Sequence, residues 1–271
     1  MVLNIAHRGA RSIAPENTLI AARKGLEAGA DLWETDVSVT GDGALILFHD
    51  RSPDRTTDVR ARFPGRASRK LWTFTLAELR TLDAGSFFVE SDPFGQIAAG
   101  AVSAADQVAF RGEKIPTLEE ALIFTRAANW RINLELKTLP AALKDFPIVD
   151  RVLALADAVH MPPEHLILSS THHPWLREVQ EKRPEIEVQA LIGVPVMKPM
   201  DWGGYEFPIY NANSARIDED QIRAAIARGR TVNLFTVNAE AEMRRFIRAG
   251  VSGIITDFPQ RLARIIASPG E

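Results

Sequence analysis

The sequence predicts an α/β protein, and within that class a (β/α)8 (TIM) barrel. Eight short apolar runs of strand type alternate with amphipathic runs of helical period along most of the chain. Gly29, Gly229 and Gly250 stand where three of the helical runs end, a position that favours a left-handed residue. The chain has 271 residues, of which 46% are hydrophobic, and is therefore long enough to bury the core of such a barrel.

The predicted elements alternate in a simple order. Strands are expected at residues 2–6, 32–38, 132–137, 166–169, 187–192, 208–211, 231–237 and 253–256. Helices are expected at residues 17–28, 117–128, 148–159, 174–182, 218–228, 239–249 and 259–267. An open doubly wound sheet could also give a repeating βα pattern, but eight strands over this length favour the closed barrel.

Two consecutive stretches interrupt the alternation. Residues 40–50 (TGDGALILFHD) contain a Gly-Asp-Gly turn and a second apolar run, which predicts a hairpin that extends the second strand. Residues 51–114 contain an arginine-rich stretch and one helical pattern but no βαβ unit. We interpret 51–114 as an excursion with too few apolar residues for a core of its own, inserted in a single domain that spans residues 1–271.

Residues 89–109 form an unusual part of this excursion, because they are rich in small apolar side chains. Gly95 and Gly100 could let the segment bend. We expect it to stand over the rim of the barrel beside the end of the second strand. There it would either form a wall of the pocket or serve as a structural cover.

Composition excludes several classes of protein. The formal net charge is −3, so no general affinity for nucleic acid is expected, and the absence of cysteine excludes disulfides and thiolate metal sites. No apolar run reaches the roughly 18 to 20 residues that span a membrane. The first strand begins within a few residues of Met1, which leaves no room for a signal peptide and predicts a cytoplasmic protein. The oligomeric state is left open.

Polar side chains occur at the ends of the first three predicted barrel strands and of the hairpin. In a (β/α)8 barrel the carboxyl ends of the strands face the active site. Residues two apart in a strand point the same way, about 6.6 Å apart, so the two acidic residues of the second strand can share one ligand. The strand-end residues are His7, Arg8, Glu34, Asp36, His49, Glu135 and Lys137.

These residue types indicate a particular chemistry. Three carboxylates close together repel one another unless a cation neutralises them, and ligands that offer only oxygen suit Ca²⁺ or Mg²⁺. Arg8 and Lys137 could then bind an anion such as phosphate, which the metal would also bind. Two histidines on either side of a phosphorus centre could supply the general base and the general acid of an ester cleavage.

Each feature also has a structural interpretation. A histidine at a strand end is often structural, and alternating acidic residues frequently form a solvated strand face. The motif PENT at 15–18 could simply start a helix, since Pro15 suits the first turn and Glu16 favours the helix N-terminus. Adjacent His172 and His173 are better explained by entry into a helix than by binding of one ion. The strand-end set outweighs these interpretations because every member falls at the same edge of the predicted barrel.

Several motifs in this order resemble the glycerophosphodiester phosphodiesterases, which belong to the phosphatidylinositol-phospholipase-C-like phosphodiesterase barrels. The resemblance runs from residue 5 to about residue 260. One difference is that about twenty residues separate LDAGSFF from FRGEKIP, where related chains commonly have only a few. The motifs are AHRG, APENT, ETDV, DG, FHD, DRTT, LDAGSFF, GEKIPTLEEAL, INLELK, FTVN and GIITDFP.

The resemblance implies a (β/α)8 barrel and roles for seven residues. It implies a divalent metal, Ca²⁺ or Mg²⁺, held by Glu34, Asp36 and Glu135. It also implies that His7 and His49 are the acid–base pair and that Arg8 and Lys137 contact phosphate. We add two residues of the matching motifs to the substrate-binding set: Glu16 of APENT, and Phe235, where relatives usually have tryptophan.

The expected function is metal-dependent hydrolysis of a glycerophosphodiester, a small molecule, to sn-glycerol 3-phosphate and an alcohol. Which histidine is the acid stays open, as does the choice between water and the substrate's own 2-hydroxyl as nucleophile. Two alternatives are kept. One is a lysophospholipase D, which acts on substrates that retain one acyl chain, and the other is a phosphoester-binding barrel without turnover.

Overall fold

The computed structural model describes residues 2–194 and 200–268, which form a closed barrel of eight parallel strands. β1 pairs with β2 on one side and with β9 on the other, and these pairings close the ring. β3 lies outside the ring as the antiparallel hairpin partner of β2. The strands are β1 Leu3–His7, β2 Leu32–Val39, β3 Leu45–Leu47, β4 Arg131–Leu136, β5 Leu166–Ser170, β6 Glu187–Ile192, β7 Ile209–Asn213, β8 Thr231–Phe235 and β9 Gly253–Thr256.

Helices cover the outside of the ring and also occur in the excursion. Each long helix that sequence predicts is present, with ends that differ by one or two residues. The helices are α1 Leu19–Glu27, α2 Val59–Arg62, α3 Leu76–Leu79, α4 Ser86–Ser91, α5 Ala104–Phe110, α6 Leu118–Ala127, α7 Ile148–Ala158, α8 His173–Lys182, α9 Glu219–Ala227, α10 Glu240–Ala249 and α11 Pro259–Ala267. The prediction of a (β/α)8 barrel with an insertion after a hairpin of the second strand is confirmed.

The main core lies between the strands and the surrounding helices. Alternate residues of each strand, such as Leu134 and Leu136 of β4, point outwards and are fully buried against this shell. The opposite faces of the strands fill the inside of the barrel. There a small apolar cluster, made by Ile5, Leu32, Ile167 and Ile255, is the packed interior typical of such barrels.

A row of buried amides also crosses the inside of the barrel. Asn233 donates to Asn211 at 2.9 Å, and Asn211 donates to Gln189 at 2.9 Å. Asn133 of β4 donates to the same Gln189 oxygen at 3.3 Å. Because a buried polar group without a partner is costly, these linked amides fix the strands that carry them in one arrangement.

The loop from β1 to α1 is tightly packed. Gly9 has a φ of +76°, and a Cβ at this position would lie 2.5 Å from the backbone of Ala21 in α1. Only glycine allows this close approach of loop and helix. Thr18 then caps α1 by accepting a hydrogen bond from the Ala21 N–H. These contacts hold the residues that follow β1 at the rim of the barrel.

The excursion contains short helices and no strand, and its buried residues form a group that it shares with the hairpin. Together with the hairpin it encloses a separate group of nine buried side chains, because its aromatic and aliphatic residues are few but converge. Phe63 and Trp72 pack against the edge of this group. The group consists of Ile46, Phe48, Val59, Leu71, Phe74, Leu79, Leu82, Ala84 and Ile115.

Within the described ranges 2–194 and 200–268, no helix combines the length and the apolar character that crossing a membrane requires.

Candidate active site

Three acidic side chains meet inside the rim of the barrel. Glu34 and Asp36 come from β2, and Glu135 lies beside Asp36 in the adjacent strand β4. Each of the three offers a carboxylate oxygen, and these oxygens lie within 4.8 Å of one another. Glu34 and Asp36 are almost completely buried, with exposures of 4% and 1%. The parallel register of two strands therefore brings the predicted carboxylates together.

The electrostatics of this cluster fit a bound cation. Burial, together with the charges of Asp36 and Glu135, raises the pKa of Glu34. Burial also opposes the ionisation of Asp36, but the charges of Arg8 and Lys137 outweigh it and keep the pKa of Asp36 below its usual value. Among the described residues, no donor forms a hydrogen bond to Oδ1 of Asp36. Three carboxylates, one with an oxygen that, within the described ranges, only the ammonium of Lys137 approaches, at 3.3 Å, are compatible with a divalent metal ion.

His7 lies at the end of β1, next to Glu34 of β2. Its Nδ1 is 2.6 Å from Oδ1 of Asp257, and its Nε2 is 3.9 Å from Oε2 of Glu34. Burial and the charge of Arg8 lower the pKa of His7 despite the opposing effect of Asp257. The ring is thus held by a carboxylate on one nitrogen and turns the other towards the acidic cluster, an arrangement known from catalytic and metal-binding histidines.

His49 follows the hairpin strand β3 and lies near enough to the cluster for its charge to lower the pKa of Asp36. Its Nδ1 is 2.7 Å from Oδ1 of Asp50. Arg55 in turn donates through Nε to the other oxygen of Asp50, at 2.7 Å. The side chain of His49 is one-third exposed, whereas that of His7 is 13% exposed. Both predicted histidines therefore have an orienting carboxylate, but they face different surroundings.

Arg8 and Lys137 bring positive charge to the same cluster. The φ of Arg8 is +54°, and its backbone N–H donates to Oε2 of Glu34 at 3.1 Å. The Arg8 guanidinium lies 3.1 Å from Asp36, while Nζ of Lys137 lies 2.9 Å from Glu135 and 3.3 Å from Asp36. These cations offset the charge of the carboxylates and offer donors to an anion at the rim.

Glu16 lies at the centre of three arginines. Its carboxylate is 2.8 Å from Arg8, 3.1 Å from Arg11 and 2.7 Å from Arg55. Burial opposes its ionisation, but the hydrogen bond from Arg55 and the charges of the arginines lower the pKa of Glu16 to about 2. Glu16 is therefore part of an ionic network that reaches Asp50, the partner of His49, through Arg55.

Phe235 ends β8 and borders a cavity of about 20 Å³ at the mouth of the barrel. His7, Glu34 and Glu135 border the same cavity, as do Leu191 and Ser169. The structure places Phe235 two residues before the predicted end of its strand, on the His7 side of the cluster. Its aromatic ring gives that side of the site an apolar wall.

A much larger cavity, of about 670 Å³, opens on the other side of the cluster. We call this cavity the side pocket. His49, Glu135 and Lys137 lie at its border, together with residues of the excursion and of the loop that follows β4. The two histidines thus border two different cavities, one large and one of about the size of a water molecule.

The segment 89–109 is not among the residues that line the side pocket. It packs instead against α1 and the loop that precedes α1. Val102 of the segment forms a buried group with the flanking Phe88 and Phe110 and with Ala14 and Ala21, and Asp106 lies 2.8 Å from Lys24 of α1. The segment therefore lies at the part of the rim next to β1, and the expected place beside His49 is not seen in the lining of the side pocket.

Phe94 gives this segment its one described approach to the site. The ring packs edge-on against Phe258, with the centroids 5.6 Å apart, and lies 5.2 Å from the guanidinium carbon of Arg11.

His172 and His173 follow the prediction that they stand at the start of a helix. His173 begins α8 and its Nε2 is 3.1 Å from the carbonyl oxygen of Leu191, while the ring of His172 packs on Trp175.

Sequence reasoning assigned no role to several residues that hold the site together. Asp257 holds His7, and Asn238 donates to Asp257 at 2.7 Å. Asp50 and Arg55 hold His49. Asn17, with a φ of +55°, donates to Oδ2 of Asp36 at 2.9 Å. A signal was available for Asp257, because it directly follows β9 and so occupies the same edge as the other strand-end residues.

A closed (β/α)8 barrel with three carboxylates, two histidines and two cations near one rim is an arrangement compatible with a barrel hydrolase of phosphate esters. The sequence model of the Glycerophosphoryl diester phosphodiesterase family matches residues 7–261. A glycerophosphodiester phosphodiesterase from Caldanaerobacter subterraneus subsp. tengcongensis is 31% identical over 272 residues, and the alignment covers 99% of each chain. The chain therefore belongs to the glycerophosphoryl diester phosphodiesterase family and is a phosphoric diester hydrolase.

Solved structures agree with this assignment. A Silicibacter pomeroyi protein assigned to the glycerophosphoryl diester phosphodiesterases superposes with a TM-score of 0.82 at 26% identity, covering 100% of this chain and 94% of that one. An Oleispira antarctica phosphodiesterase in complex with its product sn-glycerol-3-phosphate superposes with a TM-score of 0.76 at 27% identity. This second alignment covers 97% of this chain and 96% of that one.

Proposed function

We propose that the protein hydrolyses glycerophosphodiesters to sn-glycerol 3-phosphate and an alcohol, with a divalent metal ion and a pair of histidines. One observation carries the proposal: His7 and His49 lie near a cluster of three carboxylates, two of them buried and one partly buried, and each histidine has its Nδ1 beside an aspartate. The product bound by the Oleispira antarctica relative is the expected phosphate product of this reaction.

Glu34, Asp36 and Glu135 are the residues that would hold the metal. Their ligands are all oxygens, which favours Ca²⁺ or Mg²⁺ over metals that prefer nitrogen or sulfur. A bound divalent ion would supply Lewis-acid polarisation of the phosphoryl oxygens. Asn17 supports this group by donating to Asp36, and partners of this kind orient metal ligands.

Arg8 and Lys137 would bind the phosphate. Both lie within 3.3 Å of Asp36, so their charges are already positioned at the cluster before a substrate arrives. A diester phosphate between them would receive charge-assisted hydrogen bonds, which strengthen as negative charge builds up on the phosphoryl oxygens. Glu16 would act on the substrate indirectly, because its carboxylate is occupied by arginines and holds the guanidinium of Arg8 in place.

His7 would serve as the general base and His49 as the general acid. Burial and Arg8 lower the pKa of His7, so at neutral pH its Nε2 is free to accept a proton from the attacking hydroxyl. His49 borders the side pocket, the larger space, where the alcohol can leave. Phe235 and Leu191 would give the His7 side an apolar surface for the substrate, although the cavity of about 20 Å³ that they border is too small to enclose the glycerol.

A product assay tests this function. The purified protein is incubated with Ca²⁺ or Mg²⁺ and either glycerophosphoglycerol, glycerophosphocholine or a lysophospholipid, and sn-glycerol 3-phosphate is measured with a coupled dehydrogenase. Release of sn-glycerol 3-phosphate from a glycerophosphodiester supports the proposal. Release of a choline head group from the lysophospholipid alone would indicate a lysophospholipase D. Tight binding without any product would indicate a phosphoester-binding barrel.

A further inference from the structure

The side pocket has a defined place relative to the reacting groups. His49, Glu135 and Lys137 form its inner border, whereas Phe235 and His7 border the small cavity on the opposite side of the cluster. A phosphate held at the cluster therefore directs one of its two ester groups into the side pocket. The small cavity, of about 20 Å³, is too small for either ester group, so the leaving alcohol is assigned to the side pocket because His49, the proposed general acid, borders it.

The side pocket is larger than a two-carbon alcohol such as ethanolamine would fill. Its volume of about 670 Å³ lies within the usual range of pockets for whole small molecules, roughly 300 to 1,000 Å³. Apolar side chains face each other across it. Leu71 and Trp72 belong to the excursion, and Leu139, Pro140 and Leu143 belong to the loop that follows β4.

The acidic residues at this pocket are already paired with cations. Asp50 accepts hydrogen bonds from Arg55 at 2.7 Å and lies 2.7 Å from His49. Asp54 lies 2.8 Å from Arg69 and 3.0 Å from Arg60. The remaining acid, Glu135, lies in the proposed metal site and 2.9 Å from Lys137. Among the described residues that line the pocket, an ammonium group would therefore meet no carboxylate that is free to pair with it.

The aromatic lining is equally unsuited to an ammonium group. Cages for quaternary ammonium ions use several aromatic faces. Trp72 is the one tryptophan, tyrosine or phenylalanine among the described residues that line the pocket, and Nζ of Lys70 already lies 5.7 Å from its ring centroid. Arg51 at the border adds positive charge that would repel a cation, whereas the charge of Arg55 is offset by Asp50 and Glu16.

We infer that the side pocket is the subsite for the leaving alcohol, an inference that rests on the proposed function. We infer further that the pocket selects an uncharged alcohol with an apolar body over choline or ethanolamine. The apolar walls stabilise the alcohol's carbon chain, and the paired acids give a cationic head group no counter-ion. One methylene group in an apolar pocket changes specificity by roughly 10- to 200-fold. We therefore expect kcat/KM for an alkyl ester to exceed that for the choline ester by at least about tenfold.

The test compares glycerophosphodiesters that differ only in the alcohol: n-hexanol, glycerol and choline. We expect kcat/KM to decrease in that order, and Leu143→Glu, which adds a free carboxylate to the wall, to lower the ratio of hexyl to choline ester by at least about tenfold. Leu143→Ala should lower the same ratio by removing apolar surface. Leu26→Ala, a change at an exposed leucine of α1, is the control and should leave the ratio unaltered.

The outcomes separate this inference from the proposed function. A choline ester that is hydrolysed as efficiently as the hexyl ester would overturn the inference and leave the function intact. A ratio that does not respond to Leu143→Glu, in a variant with the melting temperature of the wild type, would also overturn it. Failure to hydrolyse any of the three diesters would instead contradict the proposed function.

Discussion

The two halves of the barrel rim differ in charge. The half built from β1, β2, the hairpin and β4 carries both histidines, three carboxylates, Arg8 and Lys137, whereas β5, β6 and β8 contribute Ser169, Leu191 and Phe235. In the charged half each acidic group lies beside a cation or another acid, so removal of one member leaves a buried charge without its partner. In the uncharged half, substitutions change only shape. The charged half thus supplies the reacting groups, and the uncharged half determines the shape of the site.

The largest effects are expected from the histidines of the charged half. His7→Ala and His49→Ala should each lower kcat by roughly 10² to 10⁴, the usual contribution of a general acid or base. The double variant should lose less than the product of the two, because the residues act in one step. His160→Ala, at an exposed position, is the control and should retain the wild-type kcat. Near-normal turnover by His49→Ala would show that the two-histidine assignment is wrong.

Asp257 links the charged half to the last strand, and its removal should have the next largest effect. Asp257→Asn should lower kcat by roughly 10- to 100-fold, as loss of an orienting partner typically does. Asp257 raises the pKa of His7, so the variant should have a His7 pKa that is lower than in the wild type. The acidic limb of kcat/KM should then move to lower pH. An acidic limb that moves to higher pH would contradict the assignment of His7 as the base.

Replacing Glu16 tests how much its charge contributes to the free energy of unfolding. Its pKa changes from 4.5 to about 2 on folding, which corresponds to roughly 3 kcal/mol of stability above the unfolded-state pKa. This contribution is lost as the pH falls towards 2, because the unfolded state takes up the proton first. Urea unfolding should therefore find Glu16→Gln destabilised at pH 7 and much closer to the wild type at pH 3.

The exposed Glu90→Gln variant is the control for this comparison and should match the wild type at both pH values. A Glu16→Gln variant that is equally destabilised at pH 7 and pH 3 would show that packing, and not charge, explains the effect.

The smallest effect is expected in the uncharged half. Phe235→Leu keeps the wall apolar, so kcat/KM should fall by less than about tenfold, since swaps between apolar residues of similar size cost less than about 1.5 kcal/mol. The change should appear in KM and leave kcat nearly constant, which separate kcat and KM measurements can establish. A loss in kcat as large as that of the histidine variants would mean that Phe235 takes part in the chemical step.

Sequence predicted the barrel and the positions of the predicted site residues because both depend on short-range patterns. Strand-end residues such as Glu34 and Glu135 can be recognised from their own strand, and the parallel barrel then brings them together. Partners contributed by distant segments could not be assigned in this way. Asp257 lies 250 residues from His7 in the chain, and Arg55 lies 39 residues from Glu16.

The excursion was harder to predict for a related reason. Its few apolar residues show no helical or strand period, so their convergence around Phe74 depends on chain reversals that local patterns do not specify. The segment 89–109 was predicted beside His49, and it lies instead beside the loop that follows β1 and α1, because small apolar residues suit a pocket wall and a helix-packing surface equally well. Its actual contacts are set by long-range partners such as Phe258 and Lys24.

Metal removal tests the three-carboxylate site most directly. After exhaustive chelation with EDTA, release of sn-glycerol 3-phosphate should fall by at least about 100-fold, because Lewis-acid help contributes several kcal/mol. Ca²⁺ or Mg²⁺ should restore it, and calorimetry should show metal binding that is weakened by at least about tenfold in Glu135→Gln. Full activity after chelation, or unchanged metal affinity in Glu135→Gln, would contradict a metal held by Glu34, Asp36 and Glu135.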